Sequence, residues 1–223
     1  MLLSEREKLF NRAKENASPV EMAEAVIPLA NAYQQVRKYD AAVRCLREAL
    51  AIIRESGEAD QEAVILTAIG SAFWEKAQLQ KALDQFSLAL DMFKKSGDKM
   101  GERAILAMVG ITFWRKCEWQ RALKIFSDMW VGGLTIDDRF LSLQGALERG
   151  IATLQNRVRM GRELQDSMRI LQPLFSSSAL YLVTGNLDDL KSCLDESVSL
   201  AEQLGEADIL DAAQSIRQLG RPA

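Results

Sequence analysis

The chain contains no histidine. That absence removes the usual general base and the commonest metal ligand together. Ser-His-Asp and Cys-His catalytic sets, and histidine-bearing zinc sites, are therefore excluded within it. Cysteine is sparse: Cys45, Cys117 and Cys193 stand alone, with no Cys-x-x-Cys pair. They read as small packing residues or surface thiols in a reducing compartment. Long apolar runs are missing too, since the uncharged stretch Ala104 to Phe113 falls far short of the ~20 residues of a membrane span. The net charge of -3, with no basic cluster, does not mark a nucleic-acid binder. Met1-Leu2-Leu3-Ser4-Glu5-Arg6 turns charged at once and lacks the apolar core of a secretory signal, so cytoplasmic residence is expected. Gly132-Gly133 is too short to cradle a phosphate and has no lysine after it. The acid pairs Asp137-Asp138 and Asp188-Asp189 read as helix caps. No enzyme activity, cofactor or metal is expected.

Repetition is what the chain has. Ala30-x-x-Tyr33, Gly70-x-x-Phe73 and Gly110-x-x-Phe113 fall in register at forty-residue intervals. So do Ala42-x-x-x-Leu46-x-x-Ala49, Ala82-x-x-x-Phe86-x-x-Ala89 and Ala122-x-x-x-Phe126-x-x-Met129, and the pairs Ser56-Gly57 and Ser96-Gly97. Self-similarity of this length signals stacked helical hairpins. Small residues at 42, 82 and 122 let the two helices of a pair approach, and the large residues at 46, 86 and 126 fill the space beside them. Gly57 and Gly97 suit the left-handed residue that ends a helix.

Residues 1–223 are therefore expected to form a single array. Ser4-x-x-Glu7 and Ser18-x-x-Glu21 are capping-box patterns, which place a leading helix at 4–16 and a second start at Pro19. Pro28 lies inside that second helix and removes one backbone bond. Repeat one spans 19–56, repeat two 60–96 and repeat three 99–131. A degenerate fourth repeat is assigned to 137–173, where Pro173 is expected to end a helix, and its arginines (Arg149, Arg157, Arg159, Arg162, Arg169) read as a solvated face. A fifth covers 176–205, and an amphipathic helix over 206–219 serves as cap.

These positions resemble the tetratricopeptide repeat. Ile69-Gly70, Phe73, Ala82, Phe86 and Ala89 match that family's pattern almost completely. Val109-Gly110, Phe113, Ala122 and Phe126 match nearly as well, and Leu29-Ala30, Tyr33, Ala42, Leu46 and Ala49 match with Ala for Gly. Val26, Leu66 and Leu106 replace the usual leading Trp, and the closing Pro is missing. The forty-residue period looks like the longer-helix subgroup found in scaffolds for cell polarity and motor cargo. The resemblance implies an all-α fold, a right-handed α-α superhelix (a solenoid) of about five helical hairpins with a C-terminal capping helix.

It also implies a function: a non-catalytic adaptor that holds a peptide or helix of a partner protein in a concave groove. Carried over from the family, the groove residues are Asn31, Gln34 and Gln35, then Thr67, Ser71, Trp74 and Glu75, then Met108, Ile111, Trp114 and Arg115. The Lys, Asn and Arg clamp of members that bind acidic chaperone tails is matched only at Asn31, so that ligand is not expected. Phe73 and Phe113 hold the packing position, and helix neighbours diverge by about 100°, so Trp74 and Trp114 are expected to face the groove or its edge. Packing of each indole on the next repeat is the structural alternative. The competing function is self-association through the Trp130–Leu134 region or through Ile209 and Ile216 of the last helix.

Overall fold

A computed structural model describes residues 2–129 and 138–219. Among them the chain forms α1 (Leu3–Asn16), α2 (Pro19–Gln35), α3 (Tyr39–Ser56), α4 (Ala59–Glu75), α5 (Leu79–Ser96), α6 (Lys99–Arg115) and α7 (Trp119–Met129). A 3-10 turn at Asp138–Phe140 then leads into α8 (Leu141–Glu163), α9 (Ser167–Thr184), α10 (Leu187–Leu204) and α11 (Ala207–Leu219). No strand occurs among the described residues, so the fold is all-α. The chain divides into two compact units, one of Met1–Ile105 with Ile136–Ala146, the other of Leu106–Thr135 with Leu147–Ala223.

The first unit is built from the repeat. Helix starts recur at Pro19 and Ala59, and at Tyr39 and Leu79, each forty residues apart. The short turn inside each hairpin has one design: Lys38 and Gln78 donate their N–H groups to the carbonyls of Tyr33 and Phe73, and Arg37 and Ala77 to those of Gln34 and Trp74. This is the six-to-one, five-to-two pattern that satisfies orphan helix carbonyls. It forces a left-handed residue, and Arg37 and Ala77 both have φ of 60°. The turns between hairpins use glycine for the same purpose, with φ of 77° at Gly57 and 74° at Gly97.

Glycine also sets the spacing inside the second hairpin. A Cβ at Gly70 would lie 2.5 Å from Cε1 of Phe86, a ring that is fully buried. Helix α4 is enclosed along most of its length, with every residue from Ala63 to Trp74 buried. It packs on α2, α3 and α5, and the 3-10 turn Asp138–Phe140 also rests on it.

At the first helix the cap differs from the expected one. Glu5 Oε2 accepts the Leu2 N–H at 2.9 Å, so the helix starts at Leu3 and Ser4 is inside it. The Ser18–Glu21 box forms as expected: Glu21 takes the Ser18 N–H at 2.8 Å, and Ser18 Oγ accepts the Glu21 N–H.

In the second unit, Gly110 stands to Phe126 as Gly70 does to Phe86, with a Cβ again 2.5 Å from the ring. Pro173 does not end a helix; it lies buried inside α9. The break comes earlier, where Gln165 adopts φ of 52° and Asp166 Oδ1 accepts the Arg169 N–H to cap α9. Gly161 makes that break possible, since a Cβ there would stand 2.9 Å from the Arg169 backbone. Residues 141–163 accordingly form one long helix. The apolar face of α11 is already used: Ile209 and Ile216 are buried, and the helix packs on α10 and α7. That corrects the expectation that these isoleucines form a self-association face. Trp130 and Leu134 lie outside the described residues.

A second periodicity links the units. Helices α2, α3 and α4 begin at 19, 39 and 59, and α9, α10 and α11 begin at 167, 187 and 207, a constant offset of 148. Ser18 and Asp166 cap α2 and α9, and Gly57 and Gly205 close α3 and α10 in the left-handed conformation.

Candidate functional site

Most of the residues assigned to the groove sit in helix packing. In the first unit Asn31, Gln34, Thr67, Ser71 and Trp74 are buried. Gln34 Nε2 donates to Glu75 Oε1 at 2.6 Å, tying α2 to α4. The Thr67 and Ser71 hydroxyls donate to the carbonyls of Ala63 and Thr67 one turn back on their own helix, which leaves no donor for a ligand. From this part of the set, Gln35 is exposed and Glu75 half-buried.

In the second unit Met108, Ile111 and Trp114 are buried and Arg115 is half-buried. The Trp114 indole N–H donates to the Phe175 carbonyl at 3.1 Å, and its ring lies 4.9 Å from the Phe175 ring. Trp119 and Phe126 complete the cluster, each 6.4 Å from Trp114.

Trp74 and Trp114 are each 2% exposed, so neither indole offers a surface to a partner. The 100° divergence does turn Trp74 away from Phe73, whose ring lies beneath the cationic heads of Arg47 and Lys81. The direction it takes is the packing direction between neighbouring helices, and the indole is enclosed there. A signal of this was present: Ala63 to Trp74 carries no charged residue, and a helix uncharged all round is a buried one.

Two small cavities share one construction across the 148 offset. One, of about 250 Å³, is lined in part by Glu7, Tyr33, Cys45 and Glu48; the other, of about 200 Å³, by Gln155, Tyr181, Cys193 and Glu196. Lys14 pairs with Glu48 at 3.0 Å beside the first, and Arg162 with Glu196 at 2.7 Å beside the second. Burial pushes both thiols, Cys45 and Cys193, up to about 12. Burial also pushes the Tyr33 phenol up to about 12, helped by the Glu7 carboxylate that accepts its hydroxyl at 2.5 Å. A thiol held protonated is a poor nucleophile, so these groups pack rather than react. Among the described residues no cluster of three or more His, Cys, Asp or Glu could hold a metal ion. No described helix is long and apolar enough to cross a membrane.

One cluster was not anticipated from the sequence. In the first unit Asp98 accepts the Gly101 N–H at 3.0 Å with one oxygen and pairs with Arg139 at 2.6 Å through the other. The Arg139 guanidinium lies 4.8 Å from the Phe140 ring, which meets Phe93 edge-on at 5.7 Å. Phe140, Leu143 and Ala146 are all buried. Positions 93, 98 and 101 correspond to Ile53, Glu58 and Gln61 one period earlier, and the residue differs at each.

Together these features define a class: an all-α repeat protein of antiparallel helix pairs, joined by tight left-handed turns. Residues 21–95 match the family model of the tetratricopeptide repeat. Among solved structures it is similar to BtubC (BKLC) from P. vanneervenii, with a TM-score of 0.55 at 16% identity, over 97% of this chain and 89% of that one. A putative kinesin light chain with nearly identical TPR-like repeats, from Podosopora anserina, aligns with a TM-score of 0.49 at 13% identity, covering 92% and 97%. At such identities the first likeness speaks to the fold. No curated protein sequence matches the chain. The match over residues 21–95 suggests a protein–protein interaction module.

Proposed function

We propose that the chain is a non-catalytic adaptor that binds a peptide or helix of a partner protein, with residues 1–223 acting as one array. The observation that carries this reading is the tetratricopeptide-repeat match over residues 21–95. A stack of paired helices offers a long rigid face on which an extended or helical segment can lie. Within the first unit, the groove residues that reach the surface are Gln35 and Glu75, and they contribute to recognition. The buried members of the set, Trp74 included, hold that surface in shape.

The test is affinity capture with the wild-type chain and with a Gln35→Lys/Glu75→Lys variant whose helicity is unchanged. A specific protein partner that the variant loses is the expected result. Absence of any specific partner refutes the adaptor reading, and equal capture by both chains refutes this location for the contact.

A further inference from the structure

Residues 138–146, a 3-10 turn and the first residues of α8, pack as part of the first unit. The first unit runs along the chain to Ile105 and takes in residues 138–146, its limits falling inside α6 and α8. This segment begins with a single helical turn on α4 and holds by side chains: an arginine, an aromatic ring, then Leu143 and Ala146 one and two turns further on. The receiving surface is shaped to match. Asp98 supplies the carboxylate, Phe93 the ring edge, and Gly101 the room, since a Cβ at 101 would come within 2.6 Å of Phe93 and 2.8 Å of Asp98. All three positions depart from the residues that the first period places there, and two of them touch Arg139 or Phe140 directly.

We propose that this surface is a docking site for a partner segment whose helix opens with an arginine followed by an aromatic residue, and that Arg139-Phe140 occupies it in cis. The proposal rests on the adaptor reading and names the chemistry of the partner. Charge complementarity selects the arginine: its guanidinium bonds the Asp98 carboxylate while stacking on the ring that follows it, a pairing that lysine's point charge does not reproduce. Because the cis segment is tethered, it competes at an effective concentration in the millimolar range, and an external segment binds only against that competition. The Asp98–Arg139 pair is partly solvent-exposed, which keeps the seat reversible.

The probe is a fluorescein-labelled peptide with the sequence of residues 138–146, titrated by polarisation into three full-length chains. These are the wild type, Arg139→Ala/Phe140→Ala, and that double variant with Asp98→Asn added. Asparagine still caps α6, so the last change removes charge without removing the cap. Saturable binding to the double variant is expected, at least about tenfold weaker to the wild type, and again about tenfold weaker when Asp98 is neutralised. A double variant that keeps its helical circular dichroism yet takes no peptide, or takes it regardless of Asp98, overturns the proposal. If the double variant loses helicity, Arg139→Ala alone replaces it, with hydrogen exchange of the chain's own residues 138–146 as the readout. There, added peptide must raise exchange, and unchanged exchange overturns the proposal. Partner capture by wild type and Asp98→Asn alike, with the peptide inert, removes this docking mode and leaves the adaptor reading intact.

Discussion

Gly70→Ala is the sharpest test of how the hairpins are held. In a helix this substitution ordinarily stabilises by about 1 kcal/mol, because glycine forfeits more backbone entropy. Here the added methyl would sit 2.5 Å from Cε1 and 2.7 Å from Cδ1 of Phe86, and that ring is fully buried. Overpacking of this kind costs about 1–3 kcal/mol, which cancels that gain and leaves a net loss of up to about 2 kcal/mol. The first repeat shows the remedy, for it carries Ala30 where the second has Gly70, and Leu46 where the second has Phe86. Phe86→Leu alone leaves a partial cavity and is destabilising. The pair Gly70→Ala/Phe86→Leu recreates the first repeat's combination and should recover most of the loss, a coupling of about 1 kcal/mol or more. Urea unfolding followed by circular dichroism, run on the wild type, both single variants and the double, closes the cycle. A Gly70→Ala chain that shows the full helix-propensity gain of about 1 kcal/mol, or single effects that simply add, would refute the idea that a glycine–phenylalanine contact sets the helix spacing.

Ala77→Gly should stabilise the chain by about 0.5–1 kcal/mol, since Ala77 is held at φ of 60° where a Cβ is strained, and the same urea titration reads it. A thiol reagent should find only Cys117 in the native chain, because Cys45 and Cys193 are buried, and should find all three once the chain is unfolded in guanidinium. The raised thiols also set an alkaline limit. Their folded values near 12 exceed the ordinary 9, so the unfolded state loses protons first and stability falls as pH rises from 9 to 12. Each thiol contributes a slope of about 1.4 kcal/mol per pH unit in that window, and Cys45→Ala/Cys193→Ala should flatten the corresponding part of the urea midpoint against pH.

The repeat was legible because the contacts that make it are local and use residues with few substitutes. Gly70 under Phe86, and Gly57 and Gly97 at left-handed turns, each require glycine, so the letters show through. The turns inside the hairpins gave no such sign. Arg37, Ala77 and Cys117 take the same left-handed conformation with ordinary side chains, held there by the two backbone bonds that close each turn. Pro173 misled because a proline in mid-helix costs one backbone bond and does not forbid the helix, while the real break was carried by Gly161 and the Asp166 cap. The indoles misled for a different reason. Helical divergence says that Trp74 points away from Phe73; it does not say whether solvent or another helix lies in that direction.

The 148 offset explains why the middle of the chain resisted the forty-residue reading. Four periods would be 160, so the return of the pattern at α9 comes twelve residues early, and one long helix stands where a hairpin was expected. What recurs at that offset is chemical role more than identity. Lys14 with Glu48 becomes Arg162 with Glu196, Tyr33 with Glu7 becomes Tyr181 with Gln155, and the Ser18 cap becomes Asp166. A comparison by letters passes over such pairs, while packing and charge keep them. The same logic gives weight to the opposite case. Ile53, Glu58 and Gln61 give way to Phe93, Asp98 and Gly101 one period on, while the Ser-Gly pair between them is kept at 56–57 and 96–97. Those residues receive Arg139 and Phe140, the guanidinium on the Asp98 carboxylate and the ring edge-on to Phe93.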